Sequence, residues 1–293
     1  MNNLRRTLSL LLALVMLVAL GAFASAEDSA SAETAVTLTD EDVASLSYLN
    51  GQLRVGMECA YAPNNWQESE ASDTNVPIEN VPGAYAEGYD VQIARIIADQ
   101  LGLELVVVKM DWDGLIEALN QGQIDAIIAG MADTESRKEA INFTSPYHET
   151  VYALMVNAGT QYENATSLAD FNGASVLGQK DTALDWTIDQ IEGVNHLTAV
   201  ASVPDMIARL QQGTCDAIVI NLENAPGYLA ANPDFVVISF PEGEGLDPGF
   251  KGACVGLRKS DEALLSLADA VLATIDQAQR DELWDTALNN QPA

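Results

Sequence analysis

One pattern of helix end, tight turn and strand occurs twice in this chain. "LNQGQIDAIIAG" occupies residues 119–130 and "LQQGTCDAIVIN" occupies residues 210–221, so that Gly122 aligns with Gly213 at an offset of 91 positions. A fainter repeat relates "NGQLRVG" (50–56) to "NGASVLG" (172–178). A helix that ends at a glycine and leads into a short apolar strand is a building unit of open α/β sheets. The repeat therefore predicts two α/β lobes, although two unrelated packing units with ordinary helix-to-strand turns would give the same letters.

The segments around the first copy alternate between strand and helix patterns. Residues 103–110 are apolar on both faces, as expected for a strand in a parallel sheet that helices cover on both sides. In chain order the predicted elements are strand 53–59, helix 87–102, strand 103–110, helix 111–122 and strand 124–129. This β-α-β-α-β order predicts an open, mostly parallel α/β sheet.

The pattern restarts after a predicted crossing strand at 154–157. The later elements are strand 173–178, helices 182–193 and 203–213, strands 215–220, 235–240 and 251–259, and two helices within 261–288. In an open α/β sheet, ligands bind beyond the carboxyl ends of the strands. Gly130 and Asn221 are the equivalent strand ends of the two copies. Two lobes whose strand ends face each other would enclose a ligand cleft.

The composition restricts the class of partner. The formal net charge is −30, and binding to phosphates requires a basic surface, so we expect no nucleic acid partner. The two histidines, His148 and His196, stand in no zinc or nucleophile motif. We therefore expect no metal, no cofactor and no catalytic residues. Among Cys59, Cys215 and Cys254, one pair could oxidise in an exported protein, or all three could be buried thiols.

The N-terminus has the pattern of an export signal. A basic start at Arg5 and Arg6, the apolar run 8–20 and the small residues "ASA" (24–26) predict a signal peptide over 1–26. A membrane anchor is the competing interpretation, but the run is short for a spanning helix of about 20 residues. No cysteine follows the run, which argues against a lipid anchor. The predicted location is periplasmic, secreted or at the cell surface, with a flexible tether over 27–46.

Arg137 is the residue most suggestive of anion binding. It lies in the first turn of a predicted helix that Thr134 can cap, just after the strand end at Gly130. Helix N–H groups favour an anion, and a guanidinium adds a planar pair of donors for a carboxylate. Pairing with Glu139 or Asp133 is the structural alternative. Thr182 opens a helix after a strand in the second lobe, where it is either a second carboxylate contact or a plain N-cap.

An acid and several aromatic residues stand at other predicted strand ends. Glu58 follows the first strand, Tyr61 and Trp66 lie just beyond it, and Trp112 follows strand 103–110. Aromatic faces beside an acid suit an ammonium group. Each aromatic residue could equally be part of the core.

Four of these stretches together resemble a known family. "GYDVQIARIIADQLG", "WDGLIEALNQGQIDAIIAGM", the T-x-x-R at 134–137 and "INFTSPY" (141–147) are similar to the polar amino-acid-binding family of bacterial ABC-transporter solute-binding proteins. The resemblance spans roughly residues 47–290 and implies a two-lobed periplasmic-binding-protein fold of type II. In this division, lobe 1 begins with residues 47–150, lobe 2 is 151–243, and residues 244–293 return to lobe 1. The implied function is to capture a free polar amino acid, as a monomer, and deliver it to an ABC permease.

The resemblance also implies roles for the candidate residues. Arg137 would hold the ligand α-carboxylate, with help from the backbone at Gly130 and Ala132 and from Thr182. Tyr61 and Trp112 would enclose the ligand side chain, and Glu58 would contact its ammonium group or side chain.

The sequence departs from the family pattern in ways that affect the site. Asn221 stands where an acid usually meets the ligand ammonium, so Glu223 or Glu58 is expected to supply the charge, with Glu223 favoured. Ala132 replaces a common hydroxyl residue, Gln92 replaces a second acid, and residues 67–86 form a longer loop than usual. Two other functions remain open at this point: a dehydratase-type enzyme on the same fold, and a ligand sensor for a membrane kinase.

Overall fold

The computed structural model describes residues 35–241 and 243–292. The predicted signal peptide (1–26) and the first part of the predicted tether lie outside the described residues. Within the described residues, no helix is both long and apolar enough to cross a membrane.

Short strands and helices alternate along the described chain. The strands are β1 (Gln52–Met57), β2 (Ala60–Tyr61), β3 (Asn65–Glu68), β4 (Val76–Pro77), β5 (Tyr85–Glu87), β6 (Glu104–Lys109), β7 (Ala126–Ile127), β8 (Asn142–Phe143), β9 (His148–Glu149), β10 (Tyr152–Asn157), β11 (Ser175–Leu177), β12 (Asn195–His196), β13 (Ala217–Asn221), β14 (Phe235–Ile238), β15 (Gly252–Ala253) and β16 (Gly256–Leu257). The α-helices are α1 (Asp40–Ser45), α2 (Tyr89–Gln100), α3 (Leu115–Asn120), α4 (Glu135–Ala140), α5 (Ala183–Trp186), α6 (Val203–Gln211), α7 (Ala225–Ala231), α8 (Glu262–Thr274) and α9 (Gln277–Asn290). Single 3₁₀ turns include Trp112–Gly114, Thr187–Gln190 and Leu222–Asn224.

Two five-stranded sheets have the same strand order. The sheet of lobe 1 runs β6-β1-β7-β16-β8, and the sheet of lobe 2 runs β12-β11-β13-β10-β14. In lobe 1, β1 lies between two parallel neighbours, β6 and β7, and β16 then pairs antiparallel with β7. In lobe 2, β11 lies between its parallel neighbours β12 and β13, and β10 then pairs antiparallel with β13. Val55 pairs with Ala126 in lobe 1, and Val176 pairs with Ala217 in lobe 2. The offset of 91 positions therefore relates equivalent positions of two similar sheets.

The aspartate of the repeated turn has the same structural task in both lobes. The Asp125 carboxylate accepts the backbone N–H of Arg54 at 3.1 Å, and the Asp216 carboxylate accepts the N–H of Ser175 at 2.8 Å. The glycine before each aspartate, Gly122 or Gly213, has a positive φ and ends its helix. In each turn the glycine thus ends a helix, and the aspartate holds the backbone of the adjacent strand, β1 or β11.

Two chain crossings join the lobes. On the outward crossing lies β9, and it pairs antiparallel with β15 on the return crossing, with Glu149 opposite Gly252. The return crossing continues directly into β16, which inserts between β7 and β8. The sheet of lobe 1 is therefore completed by a segment that follows lobe 2 in sequence.

The prediction of a flexible tether over 27–46 is wrong for its C-terminal part. Residues 40–45 form α1, because Thr39 and Asp42 make a reciprocal capping box, and Leu46 then enters the core at 4% exposure. Residues 67–86 are also more ordered than the expected loop. They contribute to a four-stranded antiparallel sheet, β2-β3-β5-β4, and Ile78 bridges to Val107 at the edge of the lobe 1 sheet.

Candidate functional site

A small cavity lies between the lobes at the carboxyl ends of five parallel strands. Glu58 follows β1, Trp112 follows β6, Gly130 follows β7, Gln179 follows β11, and Asn221 ends β13. Eight of the nine predicted ligand-binding residues line this cavity: Glu58, Tyr61, Trp112, Gly130, Ala132, Arg137, Thr182 and Asn221. The cavity measures about 40 Å³, far below the roughly 300–1,000 Å³ of typical ligand pockets. The lobes are thus closed against each other around these side chains.

Arg137 connects the two lobes across the cavity. Its guanidinium donates to the Ala132 carbonyl of lobe 1 at 2.9 Å and to the Asp181 carbonyl of lobe 2 at 2.7 Å. It also lies over the Trp112 ring, 5.2 Å from the centroid, in a cation–π arrangement. Burial lowers the pKa of Arg137 from 12.5 to about 10, because a desolvated charge is disfavoured.

The predicted alternative partners of Arg137 are occupied or distant. Asp133 forms its ion pair with Lys138, at 2.8 Å, and Lys138 also reaches Glu135. Within the described residues, no carboxylate lies within ion-pair distance of Arg137. A partly buried guanidinium that faces a cavity and bonds only to carbonyls is well suited to receive a carboxylate.

Gly130 is held by a buried network that the sequence analysis did not assign. Its N–H donates to the Tyr147 hydroxyl at 3.1 Å, and that hydroxyl donates to Asp90 at 2.7 Å. Asn65 donates to the other oxygen of Asp90 at 2.8 Å. Tyr147 thus already accepts from the Gly130 N–H, so a ligand carboxylate would have to compete for that donor if it used the backbone of Gly130. Residue 130 can instead offer its carbonyl oxygen, which suits an ammonium group.

Tyr61 fixes the other face of Gly130. A Cβ at position 130 would lie 3.1 Å from the Tyr61 ring, and the backbone there has a φ of +65°. Both the close approach and the left-handed conformation favour glycine. Trp66, which the sequence placed near the site, is instead a core residue with 3% exposure.

Thr182 is engaged as a helix cap. Its hydroxyl accepts the Leu184 N–H at 3.2 Å and donates to the Gln179 carbonyl at 2.8 Å. Thr134 caps α4 in the same manner, through the Arg137 N–H. Both predicted caps are confirmed. The single hydroxyl proton of Thr182 is already donated to the Gln179 carbonyl, so it is not free to bind a carboxylate. A ligand contact at this position would have to use backbone N–H groups.

Glu58 is the carboxylate that lines the cavity. Burial raises its pKa from 4.5 to about 7, even though a hydrogen bond from Gln179, at 3.4 Å, favours the charged form. A cation placed beside Glu58 would restore the charged form, because an opposite charge nearby lowers the pKa of a carboxyl group.

Glu223, the other predicted acid, does not line this cavity. It lines a neighbouring cavity together with His148 and Trp284. The chain leaves β13 at Asn221 and enters a 3₁₀ turn over Leu222–Asn224, which rotates Glu223 away from the side on which Asn221 points. Direct contact between Glu223 and a ligand in the cavity is not favoured by this geometry.

Six further residues line the cavity and were not predicted: Ala129, Tyr152, Gln179, Ala183, Leu184 and Phe250. Phe250 meets Tyr152 edge-on at 6.4 Å and Trp186 edge-on at 6.5 Å. Gln179 could have been found from the sequence, since it directly follows the predicted strand 173–178. Tyr152 begins β10 just after the outward crossing, and Phe250 lies on the return crossing; tertiary structure brings both to the cavity.

The comparison with known proteins now bears on this geometry. The profile of the family described as "Bacterial extracellular solute-binding proteins, family 3" matches residues 53–287. The chain belongs to this family.

Relatives of this solute-binding protein extend over nearly the same range. A probable histidine-binding protein of Campylobacter jejuni is 28% identical over 268 residues, covering 89% of this chain and 88% of the relative. An amino acid ABC transporter substrate-binding protein from Streptococcus pneumoniae, bound to L-arginine, is 25% identical with a TM-score of 0.73, covering 86% and 99%. The P235GK mutant of ArgBP from T. maritima is 28% identical with a TM-score of 0.68, covering 85% and 100%. The predicted family, two-lobed fold and solute-binding function are confirmed.

The cysteines and acidic groups of this solute-binding protein bear on chemistry other than ligand binding. Cys59, Cys215 and Cys254 are buried free thiols. Burial raises the pKa of the Cys59 and Cys254 thiols to about 12, which disfavours the reactive thiolate. Over 35–241 and 243–292, no group of three or more His, Cys, Asp or Glu residues is arranged to hold a metal ion.

Proposed function

We propose that this solute-binding protein captures one free polar amino acid between its lobes and delivers it to an ABC permease. The observation that carries the proposal is Arg137, a desolvated cation at a closed interlobe cavity whose hydrogen bonds go to carbonyl groups of both lobes. A ligand α-carboxylate could replace these neutral acceptors with a charge-assisted, bidentate pair. The relatives named as histidine- and arginine-binding proteins support an amino acid as the ligand.

Binding of this ligand requires the lobes to separate. A cavity of about 40 Å³ cannot admit an amino acid. The two crossings at β9 and β15 are the natural hinge, because in the described residues the chain passes between the lobes there, and hinges consist of a few residues that absorb the rotation. The ligand would then enter an open cleft and be enclosed by closure.

Glu58 and the aromatic residues support a ligand with a cationic side chain. Glu58 pays a desolvation cost that a neighbouring cation would relieve. The Tyr61 and Trp112 rings lie at the same cavity and can flank the aliphatic or planar part of such a side chain. We therefore place arginine, lysine, ornithine and histidine first among the candidate ligands.

We further propose that the protein is a non-catalytic monomer that acts outside the cytoplasm. The family description is extracellular, and the N-terminal pattern of residues 1–26 fits a cleaved export signal. The relatives are named as binding proteins, which supports binding without turnover. The ligand should accordingly be recovered chemically unchanged after prolonged incubation, whereas a dehydratase would consume it.

The proposal is tested by titrating the mature protein with each free amino acid in a calorimeter. We expect micromolar or tighter binding of at least one cationic amino acid, and a smaller radius of gyration by small-angle scattering once the ligand saturates the open form. Absence of binding by every free amino acid would refute the proposed ligand class. Binding only of an amino acid with an acidic or aliphatic side chain would refute the role of Glu58.

A further inference from the structure

Glu223 lies in the cavity next to the candidate site and contacts the outward crossing. One carboxylate oxygen, Oε2, accepts the backbone N–H of Val151 at 3.4 Å. The other, Oε1, accepts from Asn221 Nδ2 at 3.4 Å and lies 3.5 Å from His148 Nε2. The Glu223 side chain is only 17% exposed, so protein groups enclose most of it.

His148 lies beside this carboxylate, on the side of lobe 1. Its ring is stacked on Trp284 of α9, with centroids 4.3 Å apart and an interplanar angle of 17°. Its Nε2 is buried and has no hydrogen bond in the described residues, and the Glu223 carboxylate is 3.5 Å away from it. A side chain fixed by neighbours on several sides can orient a further group with little loss of entropy.

Asn221 is the group that Glu223 can orient. A primary amide has a donor side, Nδ2, and an acceptor side, Oδ1. The two polar neighbours of Nδ2 are Glu223 Oε1 at 3.4 Å and Thr150 Oγ1 at 3.3 Å. A threonine hydroxyl can both donate and accept, whereas a carboxylate can only accept. Glu223 is therefore the neighbour that requires Nδ2 to point away from the cavity.

The remaining side of the amide faces the ligand. Asn221 lines the cavity, whereas Glu223 and Thr150 do not. With Nδ2 turned towards Glu223, Oδ1 is the atom left for the cavity, where it can accept from an ammonium group. A neutral amide cannot supply a negative charge, but the Glu223 carboxylate lies next to the Asn221 amide, on the side away from the cavity. In a partly desolvated site this carboxylate can attract the ligand ammonium through the amide.

We propose that Glu223 is a positioning residue that holds the Asn221 amide with its oxygen towards the ligand ammonium. This inference rests on the proposed function, because it assumes an amino acid in the cavity. It replaces direct contact between Glu223 and the ligand with an action through Asn221. It also accounts for an asparagine at this strand end. Asn221 supplies the hydrogen-bond acceptor for the ammonium, and Glu223 supplies the negative charge.

A double-mutant cycle separates positioning from a direct or purely structural role. In Glu223→Gln the new amide can donate, so Asn221 is no longer held in one orientation, and we expect the cationic amino acid to bind roughly tenfold more weakly, the loss of about one hydrogen bond. In an Asn221→Asp background both oxygens accept and no orientation is needed. There Glu223→Gln should change the affinity by less than about threefold. An equal loss in both backgrounds would overturn the proposal.

Glu149→Gln is the matched control, because it makes the same chemical change at an exposed position on β9. It should leave the affinity within about twofold of wild type, as exposed charges usually contribute little. A loss equal to that of Glu223→Gln would show a general effect of charge near the crossings, and would contradict positioning through Asn221.

A ligand-free measurement keeps this inference distinguishable from the proposed function. The side-chain NH₂ signals of Asn221, assigned in a ¹⁵N spectrum by their absence from Asn221→Ser, should shift in Glu223→Gln and stay in place in Glu149→Gln. Unchanged Asn221 signals in Glu223→Gln would overturn positioning even if amino acids bind. If wild type binds no amino acid, the proposed function fails, whereas the shift still decides whether Glu223 holds the amide.

Discussion

Replacement of Arg137 by alanine is the most direct perturbation of the candidate site. In the complex the variant would leave the ligand carboxylate desolvated and without its cation. Truncation of one partner of a buried, hydrogen-bonded charge pair costs about 2–5 kcal/mol. At about 3 kcal/mol the dissociation constant rises about 150-fold.

The stability of the ligand-free protein should change much less. Arg137→Ala removes two hydrogen bonds to carbonyls, at 2.9 and 2.7 Å. It also removes a charge whose burial is unfavourable, as the lowered pKa of about 10 indicates. These two effects oppose each other, so we expect the free energy of unfolding to stay within about 1 kcal/mol of wild type.

The assay is calorimetric titration with the best cationic amino acid, together with urea unfolding of both proteins. Lys138→Ala is the matched control, because Lys138 follows Arg137 on α4 but pairs with Asp133 and Glu135 at the surface. It should bind within about twofold of wild type. Near-wild-type affinity of Arg137→Ala would refute the carboxylate assignment, and a loss of binding that follows a loss of folding would leave Arg137 as a structural residue.

Three further predictions concern buried or paired groups. Burial raises the pKa of Glu58 to about 7. The free energy of unfolding should therefore fall as the pH rises from about 4.5 to above 7, by on the order of 3 kcal/mol at most. Glu58→Gln should flatten that part of the pH–stability profile, and an unchanged slope would contradict the prediction. Tyr147→Phe should lower the free energy of unfolding by about 3 kcal/mol, because it leaves Asp90 short of a donor and Gly130 short of an acceptor; urea unfolding checks this, and a loss below about 1 kcal/mol would show that the network is not needed. Desolvation lowers the pKa of His196, but hydrogen bonds to Asp185 and Asp189 raise it by more, so the net shift is upwards. The extra stability of wild type over His196→Gln should therefore be complete below about pH 6.5 and disappear as the pH rises through the raised pKa. Thermal melts between pH 5 and 9 test this, and a constant difference in stability would contradict it.

Local chemistry made part of the fold predictable from sequence. The glycines that end the repeated helices and the caps at Thr134 and Thr182 act on neighbours close in sequence, and the apolar pattern of 103–110 can be read directly from the residues. Helix 111–122 was predicted as one element, but a 3₁₀ turn precedes α3 there, and Gly114 lies at their junction. Glycine weakens a helix interior, so the break has a local cause that the apolar spacing concealed.

The candidate site was predictable in position but not in the direction of its groups. Strand ends are fixed by topology, and eight of nine residues chosen there line one cavity. The partner of the Gly130 N–H, Tyr147, is 17 residues away, and Tyr147 is itself held by Asp90 at a separation of 57. Such partners are brought together by tertiary packing, which a single sequence does not reveal. Glu223 was favoured as the ammonium partner because it shares the lobe of Asn221, and the 3₁₀ turn over Leu222–Asn224, which depends on tertiary context, places it in the neighbouring cavity.

The insertion of β16 between β7 and β8 has a consequence for the order in which the chain can assemble. Lobe 2 draws its sheet from one continuous stretch, β10–β14, whereas lobe 1 needs Gly256 and Leu257 beside Ala126 and Ile127, about 130 residues earlier. Until the last part of the chain arrives, β7 presents an unpaired edge, which is a template for association with other chains. Contacts of such long sequence separation also form slowly. The chain can therefore remain incompletely folded through most of its synthesis, and a protein truncated before residue 252 should aggregate.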